Sequence, residues 1–155
     1  MKIDKKIKFT SLKSEINNLI KICYNNSINN IVFIPYQDKK DLIYSLNTAD
    51  VHLVVNAKGI KGVSVPSKIY GVMATNIPTL GILEEGSEAW NIIKVSNCGI
   101  LAEAGNYKDI QEKLDYIINN KDIFIKQHLT GRKYLEDNFT KNKSIDKYKE
   151  EIEKL

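Results

Sequence analysis

Val63-Ser64-Val65-Pro66-Ser67-Lys68-Ile69-Tyr70-Gly71-Val72-Met73-Ala74-Thr75-Asn76-Ile77-Pro78-Thr79 reads as a loop, a short helix, a tight turn and the start of a strand. Before it lies the apolar run Val51-His52-Leu53-Val54-Val55, and after it Thr79-Leu80-Gly81-Ile82-Leu83. Both have the length and composition of buried strands. Strand, loop, helix, strand is the unit of a parallel sheet, because parallel neighbours need a crossover connection. Ligands of such sheets sit at the carboxyl ends of the strands, beside helix N-termini.

The same alternation extends in both directions. Ile31-Val32-Phe33-Ile34 reads as a strand that Pro35 stops, and Cys98-Gly99-Ile100-Leu101 as another. Lys6-Ile7-Lys8-Phe9 reads as a further short strand. Helices are expected from Ser11 (Leu12, Ile16, Leu19, Ile20 and Cys23 inward), after Asp38 (Leu42, Ile43, Leu46) and after the N-cap Ser87. Others follow from Gly105-Asn106 (Ile110, Leu114, Ile117, Ile118), from Asp122 (Ile125, Leu129, Leu135, Phe139) and from Thr140 (Ile145, Tyr148, Ile152, Leu155). The fold class is therefore α/β, with about five parallel strands covered on both faces as one domain over 1–155. The last helix has a narrow apolar stripe and a charged opposite face, so it is the segment free to dock on something outside this chain.

Composition narrows the partners. The net charge of +4 permits an anionic ligand or a membrane surface, and Arg132 is the sole arginine, which argues against dedicated nucleic-acid binding. Cys23 and Cys98 lack metal-ligand spacing to each other or to His52 and His128, so two buried thiols are expected and no metal. There is no apolar run of about 20 residues and no signal-peptide pattern.

Lys68 is the residue that invites chemistry. Pro66 and Ser67 suit a helix start, with the serine as a cap. A lysine in the first helical turn opposes the helix dipole unless an anion shares the site. The alternative is a solvated lysine near a helix end. Tyr36 and Tyr70 lie near the expected ligand edge and could stack on a base or simply pack. The loop from Asn56 to Gly62 is longer than a minimal connection, with glycines at 59 and 62. Glu84 and Glu85 read as solvated surface, His52 as a hydrogen-bonded core histidine, Trp90 as core and His128 as surface. No G-x-S-x-G, Walker or G-x-G-x-x-G pattern is present.

The ordered set Asn30-Ile31-Val32-Phe33-Ile34-Pro35-Tyr36, Ala49-Asp50-Val51-His52-Leu53-Val54, Val65-Pro66-Ser67-Lys68-Ile69-Tyr70-Gly71-Val72-Met73-Ala74 and Ile77-Pro78-Thr79 resembles the C-terminal half of a GT-B glycosyltransferase. Gly86-Ser87-Glu88, Asn97-Cys98-Gly99-Ile100 and Asn138-Phe139-Thr140 follow in the same order. The likeness is to the group 1 (family 4) enzymes of bacterial surface-polysaccharide assembly that carry a PSK-x-Y segment. It implies a Rossmann-like α/β/α domain binding a nucleotide sugar, usually a UDP sugar, without a metal cofactor. The implied contacts are Pro35 and Tyr36 beside the base, and Ser64, Val65, Pro66, Ser67, Lys68 and Tyr70 around the diphosphate and sugar. Many relatives carry a Glu-x7-Glu pair, and this chain has Val63 and Gly71 at those places. The resemblance also implies an acceptor-binding domain or subunit as partner, because that half is not in this sequence, and no activity for this half alone. The expected location is the cytoplasm, with peripheral association of the full enzyme at the inner membrane face. Two other readings are an α/β partner-binding or regulatory module that has lost donor binding, which the missing glutamates favour, and a sugar-nucleotide epimerase domain.

Overall fold

The computed structural model describes residues 7–9, 13–34 and 37–154, with side chains described from residue 17 onward. The chain packs as two units, residues 1–42 and 43–155. In the first, β1 (Ile7–Phe9) pairs in parallel with β2 (Ile31–Phe33), and α1 (Lys13–Asn25) connects them. Ser27 ends that connection in a left-handed conformation at φ 53, and Cys23 is buried.

The second unit holds the larger core. Its elements are α2 (Leu42–Asn47), β3 (His52–Val55), α3 (Lys68–Thr75), β4 (Thr79–Leu83), α4 (Glu88–Ser96), β5 (Gly99–Glu103), α5 (Tyr107–Asn119), α6 (Lys121–Gln127), α7 (Gly131–Asn138) and α8 (Lys141–Ile152). Strands β3, β4 and β5 lie side by side in that order, all parallel, with His52 opposite Thr79 and Thr79 opposite Gly99. Main-chain ladders thus divide the five expected strands into a pair in one unit and a three-stranded sheet in the other.

Alternation along the strands builds two cores. Val54 and Leu83 face Ile69, Val72 and Met73 of α3 and Ile92 and Ile93 of α4. Leu80 and Ala102 face Ile117 of α5 and Phe124 of α6, with Leu53, Ile82 and Ile100 completing that side. Sheet between helical layers makes this a Rossmann-like α/β/α arrangement. Two glycines set its spacing. A Cβ on Gly81 would lie 2.7 Å from Ile93 Cδ1, so α4 packs directly on the bare strand. A Cβ on Gly99 would lie 1.8 Å from the Thr79 carbonyl oxygen, where β5 enters the sheet.

One expected helix is two. The stripe from Asp122 to Phe139 breaks at residues 128–130, between α6 and α7. Tertiary hydrogen bonds outweigh helical continuity there. The Thr130 hydroxyl donates to the Ser96 carbonyl at 2.6 Å, and Asn97 Nδ2 donates to the Gln127 carbonyl at 3.3 Å. His128, expected on the surface, is buried: its Nδ1–H donates to the Asn97 carbonyl at 2.8 Å and its ring leans on Phe124 at 4.8 Å. Gly131 then lets α7 approach α3, since a Cβ there would already touch the Met73 backbone at 3.4 Å. Helix α8 buries no residue; Ile145, Tyr148 and Ile152 are all exposed. No helix among the described residues is long and apolar enough to cross a membrane.

Candidate functional site

The carboxyl ends of β3, β4 and β5 carry the loop at 56–67, the turn at 84–87 and the turn at 104–106, and helices α3, α4 and α5 start there. Helix α3 is short because Pro66 precedes it and Asn76 stops it in a left-handed cap at φ 58. Ser67 stands at the N-cap position, but its backbone is helical (φ −54, ψ −20) and its hydroxyl makes no cap bond. The capping expected of Ser67 is therefore absent. A helical φ/ψ points the side chain away from the N–H groups it would otherwise bond. The first turn is closed instead by main chain: Ile69 N–H donates to the Pro66 carbonyl at 3.0 Å and Tyr70 N–H to the Ser67 carbonyl at 3.2 Å. This leaves the exposed Ser67 hydroxyl, and the N–H groups of Ser67 and Lys68, without an acceptor among the described residues.

Lys68 is exposed overall, yet surrounding protein pushes its ammonium below the usual lysine range. Its charge is felt by His52, whose ring is buried at the start of β3. Burial chiefly lowers the His52 pKa, and Lys68 lowers it further, while a bond to the Leu46 carbonyl opposes both. The core position foreseen for His52 holds, but its Nε2 has no hydrogen-bond partner among the described residues. Ser64 and Val65 are exposed on the approach to α3, and Pro66 is half-buried. Tyr70 packs: it is half-buried, with its ring edge-on to Phe139 at 5.2 Å. Gly71 is exposed with open space around it. Pro35 and Tyr36 lie outside the described residues.

The structure adds residues that sequence reasoning passed over. Glu84, read as plain surface, accepts the Gly59 N–H at 2.8 Å. Lys61 Nζ donates to the Glu85 carbonyl at 2.9 Å and lies over Gly86. Asn56 N–H reaches the Ile82 carbonyl at 3.1 Å, and its amide reaches the Ser64 carbonyl at 3.3 Å. Gly59 and Gly62 supply the positive φ values, 87 and 77, that let the loop fold back to these anchors. The loop leading into α3 is thus bolted to the next strand's turn. The two glycines and the loop's length were the available signal. Ser87, as expected, caps α4, its hydroxyl accepting the Trp90 N–H at 3.4 Å, and Trp90 is half-buried against the core.

The unpaired Ser67 and Lys68 amides and the free Ser67 hydroxyl are groups that can bind an anion at a helix start, and Lys68 stands in the same first turn. Among the described residues no cluster of histidine, cysteine, aspartate or glutamate could hold a metal ion. Cys23 and Cys98 are buried and free, and burial pushes the Cys98 thiol up, away from thiolate reactivity.

No family model and no solved structure matches the chain. Over 66 residues, 43% of its length, it is 39% identical to a protein of Pseudomonas aeruginosa described as probable glycosyltransferase WbjE. The match covers 16% of that relative, so the chain spans a small part of the protein it resembles. What the comparison supports is partial homology to a glycosyltransferase.

Proposed function

We propose that this chain provides the donor-binding part of a glycosyltransferase and holds a nucleotide sugar, a UDP sugar first among them, at the start of α3. The observation that carries this reading is the N-terminus of α3, where Lys68 stands beside the unpaired Ser67 and Lys68 amides and the free Ser67 hydroxyl. A lysine in the first helical turn and the helix dipole both favour an anion such as a diphosphate there. The same groups would stabilise the nucleoside diphosphate as it leaves, since negative charge grows on its bridging oxygen during transfer. Partial homology to a glycosyltransferase supports the reaction class. The PSK-x-Y segment's resemblance to polysaccharide-assembly enzymes supports a cell-surface glycan as product. Transfer also needs an acceptor site and a group to take the acceptor's proton, and we assign neither to this chain.

Calorimetric titration of the chain with uridine diphosphate tests the reading. Saturable binding is expected, weakened at least about tenfold by Lys68→Ala, which is the loss of one charge-assisted contact. Equal absence of heat in wild type and variant would favour the partner-binding module instead.

A further inference from the structure

A concavity opens at the same edge of the sheet, at the end of β5, with a volume of about 570 Å³. Lys58 lines it from the long loop, Glu103 from the end of β5, and Asn106, Tyr107 and Lys108 from the start of α5. Its walls are fixed by hydrogen bonds already made. Gly59, next to Lys58, is held by the Glu84 carboxylate at 2.8 Å. Glu103 is held on both sides: one carboxylate oxygen accepts the Glu85 N–H at 3.0 Å, and its own N–H donates to Asp109 at 2.9 Å. Asn106 spends its side-chain oxygen on the Asp109 N–H at 3.1 Å. These bonds leave one Glu103 oxygen and the Asn106 amide N–H groups for a ligand.

Tyr107 is 82% exposed, so its ring presents a face that no described residue covers. Lys58 has no ion-pair partner among the described residues, and Lys108 has only Glu112 at 4.0 Å, both side chains in solvent, which is a weak pair. The lining thus offers two ammonium groups, one carboxylate, an amide donor and an open aromatic ring.

We propose that this cleft is a saccharide subsite that takes a sugar ring bearing one carboxylate. An exposed tyrosine suits the C–H face of a pyranose. Glu103 accepts hydrogen bonds from hydroxyls, and Asn106 donates to them. Lys58 and Lys108 offer two ammonium groups to a single carboxylate, with Glu103 in the lining and Asp109 behind it disfavouring a more highly charged anion. A phosphate fits less well: it has no donors for Glu103, and Asp109 in the first turn of α5 repels a dianion. The volume suits one or two sugar rings. This inference stands apart from the nucleotide reading of α3, which uses other residues.

The test is an amide chemical-shift titration of the full chain with three probes: a glucuronate oligosaccharide, a neutral glucose oligosaccharide and uridine diphosphate. The acidic sugar should move the Gly105, Asn106, Tyr107 and Lys108 amides saturably, and the neutral one should bind at least about fivefold more weakly. Tyr107→Ala, and Lys58→Ala with Lys108→Ala, should each weaken the acidic sugar about fivefold or more without changing the thermal midpoint, since these side chains touch little protein. No response at about 20 mM acidic sugar, a response equal to the neutral sugar's, or cleft shifts driven by uridine diphosphate would each overturn the proposal. Uridine diphosphate shifts at α3, or their absence, bear only on the nucleotide reading.

Discussion

At the scale of single residues, two glycines and one histidine make the sharpest tests. Gly81→Ala pushes a methyl group toward Ile93 Cδ1 and Leu101 Cδ2, which are flexible side-chain ends. It should cost about 1 kcal/mol. Gly99→Ala meets the Thr79 backbone, which cannot yield without opening the β4–β5 ladder, and should cost about 3 kcal/mol or more. Urea unfolding of the two variants checks the order. His52 gives a pH signature. Its folded pKa lies below 6.5, so the unfolded chain takes up a proton first as the solution is acidified. The stability from keeping the ring neutral is therefore present above about pH 6.5 and lost as pH falls through the folded value. Lys68→Met removes a charge that lowers the His52 pKa, so it should shrink this acid-side slope, measured by thermal unfolding between pH 5 and 7. His52 shows how far residue-level reading reaches. Its place in the core followed from the apolar run around it, whereas its unpartnered Nε2 depends on what packs above it. His128 marks the opposite case, because its polar neighbours in sequence say nothing of the Asn97 carbonyl 31 residues away.

At the scale of elements, periodicity and punctuation account for most boundaries. The Ser87 and Thr140 caps, the Asn76 and Asn97 left-handed stops and the alternation of β3 to β5 are local chemistry, and local chemistry is written in neighbouring residues. The break between α6 and α7 is not local. It follows from bonds of residues 127, 128 and 130 to the end of α4, across about thirty positions of chain. The clamp of Glu84 on Gly59 is illegible for the same reason, although the loop's glycines marked the place. Helix α8 is tied only loosely to the core. It buries nothing, and its link to α7 runs through Lys147, which donates to the Asn138 carbonyl at 3.4 Å and sits 5.8 Å from the Phe139 ring centroid. Truncation after Phe139 should therefore cost about 1 kcal/mol or less in thermal or urea unfolding.

At the scale of the whole molecule, the unit of residues 43–155 concentrates its options on one edge of its own sheet. Parallel strands send every connecting loop and every helix start after a strand to the same side. There the chain, with a net charge of +4, places Lys58, Lys61 and Lys68 on a single loop-and-helix segment. The α/β class was legible because a strand-loop-helix-strand run is contiguous in sequence. The division into a strand pair and a three-stranded sheet was not, because it depends on which ladders close between distant segments. The donor-binding account stands on Lys68 and its neighbouring amides, and an amide chemical-shift map of uridine diphosphate on the 155-residue chain tests it most directly. The expected result is saturable shifts largest at Ser67, Lys68 and Ile69 that disappear in Lys68→Ala. Shifts centred elsewhere, or unchanged by Lys68→Ala, would contradict it.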